Sequence, residues 1–247
     1  APGRHEGELF VEASQNNGLK LDDRLPFIVE VNEAFPILVV DGEPSSRQLD
    51  GEADLFLRAL EVLPDGVSPF DTTIRTLDDI AGVRPDLNDY RVVVLANVAE
   101  LPANWIDALE GFVEQGGGLM WSLGSQIDFE VLNESALPLL AVPLRDFYRA
   151  EDRVSGTPAL LLQDVATAHP ALGGLGDRFV GSLRASRTRG YFNIAVDASK
   201  KTRLETLLRL ENGAPLLVTR RFGNGRLALW LTSLDLALTD LPVASAF

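Results

Sequence analysis

Three observations predict an α/β protein built on a parallel sheet. Short unbroken apolar runs recur at 36–40, 92–96 (within 91–97) and 119–121, as in strands covered on both faces. Between them, apolar residues fall at helical spacing: Leu55, Phe56, Ala59, Leu60 and Leu63, then Ile106, Leu109, Phe112 and Val113. Gly116-Gly117-Gly118 then separates a helix from a strand, because glycine accepts the left-handed conformation that ends helices. A β-α-β alternation with short loops makes the strands parallel and gathers ligand sites at their carboxyl ends.

Ahead of this pattern, residues 8–14 and 25–33 alternate apolar and polar side chains and predict two antiparallel strands. Asn16-Asn17-Gly18 is a turn signal. Leu21-Asp22-Asp23-Arg24 reads as a polar turn, since it lacks the spaced oxygen ligands of a calcium loop. Two strands alone cannot bury a core. They either complete a preceding β-sandwich-like domain or pack on the edge of the α/β domain. The domain reading is a β-strand segment over 1–34 and an α/β domain over 35–247, with a less regular insertion at about 127–200.

Within the α/β domain the first strand, 36–40, runs into Asp41-Gly42-Glu43. A polar loop over 44–51 leads to a crossover helix at 53–63, ended by Pro64-Asp65-Gly66. Strands follow at 71–77 and 91–97. Pro102 opens a helix at its tolerated first-turn position. The fourth strand, 119–121, turns sharply into Ser122-Leu123-Gly124-Ser125-Gln126. Beyond Gln126, 129–133 reads as a helical turn or two, and Pro138 and Pro143 make 137–144 a packed loop. A strand at 159–164, an extended stretch at 178–191 and strands at 202–210 and 215–221 come next. Phe222-Gly223-Asn224-Gly225 then turns the chain into 226–231, which makes 215–231 a hairpin. Residues 236–241 read as helix-like. Trp105, Trp121 and Trp230 read as packing residues.

Composition narrows the function. The net charge of −14 over 247 residues excludes sequence-independent binding to nucleic acid or an anionic membrane. With no cysteine, thiolate metal sites, disulfides and a cysteine nucleophile are excluded. Two histidines rule out a multi-histidine metal site within one chain, so neither metal nor cofactor is expected. No apolar run is long enough to insert in a bilayer. Gly116–Gly118 precedes a strand rather than opening a helix, so it is no phosphate loop, and Gly173-Gly174 with Gly176 matches no dinucleotide fingerprint. Both chain ends fall in mid-pattern, as expected of a piece of something longer.

Ser122-Leu123-Gly124-Ser125-Gln126 resembles the elbow of the class I glutamine amidotransferases, Cys-Leu-Gly-X-Gln. Leu123, Gly124 and Gln126 match, and Ser122 stands where the nucleophilic cysteine would be. From about Phe35 onward the order of elements resembles that family's flavodoxin-like fold. The resemblance implies a parallel sheet with its elbow after the fourth strand and, without cysteine to form a thioester, no glutaminase activity. A second resemblance rests on VVDGEPSS (39–46), the helix-GGG-strand unit, PLLVTRRFGNGRLALWLTSLD (215–235) and Asp240-Leu241-Pro242. These look like the BatA or aerotolerance-regulator type of membrane-anchored, von Willebrand A-containing bacterial protein. That resemblance implies an extracytoplasmic, periplasmic domain of an inner-membrane protein. Its partners would be other domains of the same chain or a membrane complex, and 1–34 would be the tail of an immunoglobulin-like domain.

The candidate chemistry centres on Ser122. A serine nucleophile needs a base within hydrogen-bond reach, and the Leu123 N–H would be the natural oxyanion donor by analogy with other elbows. His169-Pro170 matches two letters of the amidotransferase His-Pro-Glu segment. Ala171 replaces the acid, however, and the segment precedes the 202–231 strands; the alternative is a structural turn. His5 lies in the first strand segment, away from this order. Asp41, Glu43 and Asp235 are expected at the same sheet edge as Ser122. There they could do acid–base work or hold a divalent cation; alternatively Asp41 caps the turn before Gly42 and Asp235 caps 236–241. The ligand-binding candidates are therefore Asp41, Glu43, Ser122, Leu123, Gly124 and Asp235. The leading reading is a non-catalytic interaction or scaffold domain. The rival is a serine-dependent hydrolase or small-ligand site at the Ser122 elbow, and a carbohydrate- or peptide-binding module is a third class. An open pocket with a base beside Ser122 Oγ would favour the rival.

Overall fold

The computed structural model describes residues 3–10, 24–31, 34–61, 68–150, 159–195 and 204–244. The chain divides into two compact units, Ala1–Phe35 and Pro36–Phe247. In the first, β1 (Gly3–Phe10) pairs antiparallel with β2 (Arg24–Val31), from Gly3↔Val31 to Phe10↔Arg24. Leu9, Gly7 and His5 stand opposite Leu25, Phe27 and Val29, so Leu9, Leu25, Phe27 and Val29 share one face of the ribbon, while Pro26 and Ile28 lie on the other, opposite Glu8 and Glu6. The first strand begins five residues earlier than the alternation predicts. Residues 11–14, the Asn16-Asn17-Gly18 turn and Leu21-Asp22-Asp23 lie outside the described residues.

The second unit is mixed α/β. Its strands are β3 (Phe35–Asp41), β4 (Phe70–Thr76), β5 (Val92–Ala96), β6 (Gly118–Ser122), β7 (Leu144–Arg149), β8 (Leu160–Val165), β9 (Arg187–Thr188), β10 (Gly190–Ile194), β11 (Glu205–Leu210), β12 (Pro215–Phe222) and β13 (Gly225–Trp230). The helices are α1 (Asp54–Glu61), α2 (Leu77–Ile80), α3 (Ala103–Glu114), α4 (Phe129–Ser135) and α5 (Asp177–Ala185). Among the described residues one sheet runs in the order β4-β3-β5-β6-β13-β12-β11-β8-β9, and β7 and β10 form a separate ribbon. The pairs β3/β5, β5/β6 and β6/β13 are parallel. From β13 outward, through β12, β11 and β8 to β9, each pair is antiparallel.

Burial on both faces explains the unbroken apolar runs. Leu38 and Val40 of β3 join one core cluster with Val93, Leu95, Leu119 and Trp121, under Trp105, Leu109 and Val113 of α3. Ile37 and Val39 point the other way, into a cluster with Val94, Ala96 and Trp230, packed by Phe56 and Leu57 of α1 and by Val180 and Leu183 of α5. The period-2 pleat thus feeds two cores from one strand.

The triple glycine closes α3 as expected. Gly116 takes φ +117°; its N–H donates to Val113 O at 3.0 Å and the Gly117 N–H to Phe112 O at 2.9 Å. This is the paired arrangement that satisfies a helix's last carbonyls.

Three expected elements differ. The stretch 178–191, expected to be extended, is helix α5 followed by β9 and β10. Its buried Val180 and Leu183 stand three apart on one helical face, a period that Gly181 and Ser182 obscure. The packed loop expected over 137–144 ends in strand β7, which pairs with β10. Residues 236–241, expected to be helix-like, form turns, and a short 3₁₀ segment follows at Leu241–Val243.

Candidate functional site

Strand register builds the site. Asp41 stands beside Ala96, Ala96 beside Ser122, and Ser122 beside Trp230. Four parallel strands therefore end level, and the loops after them emerge along one carboxyl edge. They deliver Asp41-Gly42-Glu43, Asn97, Ser122–Gln126 and Thr232–Asp235 to the same place.

Ser122 is fully buried, at 0 % exposure. Its hydroxyl donates to Thr232 O at 3.1 Å and lies 3.5 Å from Glu52 Oε1, the outer limit of a hydrogen bond. The Leu123 N–H, which would have to point into an oxyanion hole, donates to Trp230 O at 2.9 Å. Gly124 lets the chain pass Asn97, because a Cβ there would lie 2.4 Å from the amide carbon of Asn97. Gly42 serves the same end from the other side, since its Cβ would fall 2.3 Å from Asn97 O.

Asn97 is buried and holds φ +51°, a conformation asparagine tolerates better than most residues. Its N–H donates to Ser122 O at 3.1 Å. Its Nδ2 donates to Glu43 Oε2 at 2.6 Å, and its Oδ1 accepts the Gln126 N–H at 3.1 Å. Glu43 also accepts from Ser125 Oγ at 3.2 Å and Gln126 Nε2 at 3.1 Å. One carboxylate thus ties three loop ends together through neutral donors.

Asp41 is buried and accepts the Glu43 N–H at 3.0 Å. Burial pushes its carboxyl up, and that N–H partly offsets the shift. Asp235 is half-buried and accepts the Ala237 N–H at 2.9 Å, as a turn-capping aspartate does.

Sequence reasoning missed Glu52, the acid at the centre of this edge. It is 2 % exposed, and its Oε1 accepts the Leu234 N–H at 2.6 Å. Burial pushes its carboxyl up to about 8, with the charges of Asp235, Glu43 and Asp41 adding to the shift and the Leu234 N–H opposing it. At neutral pH Glu52 is a neutral acid. Its position, inside a polar loop one residue before the crossover helix, carried no signal of burial. Asn97 ends the predicted strand at 91–97, and a polar residue closing an apolar run is the available clue to its role.

His169 is engaged elsewhere. Its Nε2 lies 3.3 Å from Glu205 Oε2, and its Nδ1 accepts the Ala171 N–H at 3.2 Å within a turn. Glu205 also pairs with Arg226 at 2.8 Å. His5 stands on β1 in the first unit. Among the described residues, no three acids or histidines converge as a metal site would require.

A cleft of about 380 Å³ opens beside the elbow, between residues 124–130 and the β7/β10 ribbon. Phe147 and Phe192, with ring centroids 4.7 Å apart, line it together with Leu238 and Arg149. A larger cleft of about 580 Å³ lies at the opposite edge, between residues 84–91 and the end of α3, away from the converging loops.

No family model matches the sequence, and no curated protein does either. Solved structures do. The cytoplasmic protein STM3548 of Salmonella typhimurium superimposes with a TM-score of 0.58 at 15% identity, over 83% of this chain and 89% of that one. STM1381 of the same species gives 0.59 at 15% identity, over 83% and 90%. A ThuA-like protein of Bacteroides uniformis gives 0.53 at 13% identity, over 83% and 85%. The likeness is one of fold.

These neighbours correct the second sequence resemblance. The chain is like ThuA-like and cytoplasmic proteins, not like a BatA-type protein with a von Willebrand A domain. The extracytoplasmic, membrane-anchored placement rested on that resemblance and falls with it. Among the described residues, no helix is long and apolar enough to cross a membrane.

Proposed function

We propose that this chain is a non-catalytic binding domain on an amidotransferase-like fold. The observation that carries the reading is the state of Ser122: buried, donating to a backbone carbonyl, and far outside the His169–Glu205 contact. A hydroxyl so held has beside it only the buried Glu52 carboxyl, 3.5 Å away and protonated at neutral pH, and it offers no open path to a substrate carbonyl. The Leu123 N–H supports the same reading, because a donor already bonded to Trp230 O cannot stabilise an oxyanion. The absence of cysteine removes the thioester chemistry of the amidotransferases.

A second reading, a small-ligand site at the elbow, has its own support in the cleft beside residues 124–130. Its volume is in the range of ligand sites, and Arg149 lines it with a charged group alongside Phe147 and Phe192. Ligands found by thermal shift should lose their effect in Arg149→Ala.

The test of the main reading is covalent labelling. The protein is incubated with a fluorophosphonate serine probe and its intact mass measured. No mass increase is expected under conditions that label a serine hydrolase stoichiometrically. Labelling that disappears in Ser122→Ala would overturn the proposal.

A further inference from the structure

A backbone N–H in the loop after β13 and the hydroxyl that ends β6 converge on one carboxyl oxygen. The Leu234 N–H lies 2.6 Å and Ser122 Oγ 3.5 Å from Glu52 Oε1. A backbone N–H and a hydroxyl, whose oxygen can also accept from a protonated acid, are the kind of polar pair at the carboxyl edge of a parallel sheet that receives the acid group of a ligand. Here the acid belongs to the chain, and it arrives from neither strand. Gly51, Glu52 and Ala53 are the buried tip of a loop whose residues 44–50 are exposed. An apolar side chain at the tip would leave the buried Leu234 N–H unpaired, a loss that a burial contact alone does not make good. Asp41, Glu43 and Asp235 surround the position with negative charge, which favours a neutral acid over a carboxylate.

We propose that Ser122 and the Leu234 N–H form a receptor for a carboxylic acid, which the chain fills with Glu52 as a tethered ligand. With the Glu52 side chain removed, the same receptor takes a free short-chain monocarboxylic acid, from formic to propionic. The inference rests on the reading of Ser122 as a donor rather than a nucleophile.

Chemical rescue tests it. Glu52→Ala removes a CH₂–COOH group, the isostere of acetic acid. In the full chain near pH 6, this variant should melt roughly 5–10 °C below wild type. Sodium acetate at about 100 mM should then raise its Tm by roughly 3–6 °C over an equal concentration of sodium chloride, and leave wild type unmoved. The double variant Glu52→Ala/Arg149→Ala should keep the rescue, which separates the buried receptor from the cleft beside the elbow. Loss of rescue in the double variant, equal shifts in variant and wild type, or no shift in the variant would each overturn the proposal. Should Glu52→Ala fail to fold in chloride, the readout becomes recovery of its near-UV circular dichroism as acetate is titrated, and no recovery overturns the proposal. Probe labelling of Ser122 would sink the underlying reading instead, so the two failures are distinguishable.

Discussion

The parallel and antiparallel halves of the large sheet carry different burdens. In β3, β5, β6 and β13 the strands are covered on both faces and stop in register, so their four following loops converge. In β12, β11, β8 and β9 the direction alternates, the register shifts on both sides of β11, and β8 is largely exposed. Antiparallel neighbours send successive loops to opposite edges. Among the described residues, the buried acids Asp41 and Glu52 accordingly lie at the carboxyl edge of the parallel half, with Asn97 and Ser122. The ion pairs around Glu205 in the other half are partly solvent-exposed. A site made of converging loop ends tolerates little; a meander held by surface pairs tolerates much.

The sharpest way to break that contrast is Gly42→Ala. Its Cβ would meet the Asn97 backbone at 2.3 Å, where neither side can yield without moving a strand end. A loss of about 2–4 kcal/mol in urea unfolding is expected. A loss below about 1 kcal/mol would mean that the converging edge is pliable.

The pH dependence of stability sharpens the contrast next. Glu52 has a folded-state pKa of about 8 against an ordinary value of 4.5. A raised pKa means that the folded state binds the proton more tightly. The contribution is therefore fully present below pH 4.5 and is lost as pH rises to about 8. Across that window stability should fall by up to about 1.4 kcal/mol per pH unit, and Glu52→Gln should flatten the slope. Asp41, also pushed up by burial, adds in the same direction. An unchanged slope in Glu52→Gln would place the titration elsewhere.

The smallest effect is expected in the antiparallel half. Replacing His169 with alanine removes its contact with Glu205, yet Arg226 remains paired with that acid at 2.8 Å. Unfolding free energy should change by less than about 0.5 kcal/mol. A loss above about 1 kcal/mol would erase the difference between the halves.

The same contrast explains what could be read from the sequence. The 36–40, 92–96 and 119–121 runs are local signals of doubly covered strands, the GGG stop is a local signal of a helix end, and each predicts its element. The SLGSQ segment marked the elbow for the same reason, since a sharp turn needs particular residues in sequence. Helix α5 and strand β7 were not legible, because their buried faces are short and interrupted by glycine or preceded by proline. Glu52 was not legible at all. Its burial depends on Ser122 and Leu234, 70 and 182 positions away, and nothing within the 44–53 segment encodes that meeting. The BatA-type resemblance failed differently, because strand-rich hairpins such as 215–231 recur across unrelated α/β chains and report architecture more than ancestry.

A neutral Glu52 carboxyl, held by the Leu234 N–H at 2.6 Å and lying 3.5 Å from Ser122 Oγ, closes the carboxyl edge. Carbon-13 NMR of glutamate-labelled protein, with the Glu52→Gln spectrum for assignment, follows the Glu52 carboxyl through a pH titration. A single carboxyl is expected to stay protonated at pH 7 and to titrate at about 8. Titration of that carboxyl near 4.5 would show an ionised, solvated Glu52 and contradict the closed site.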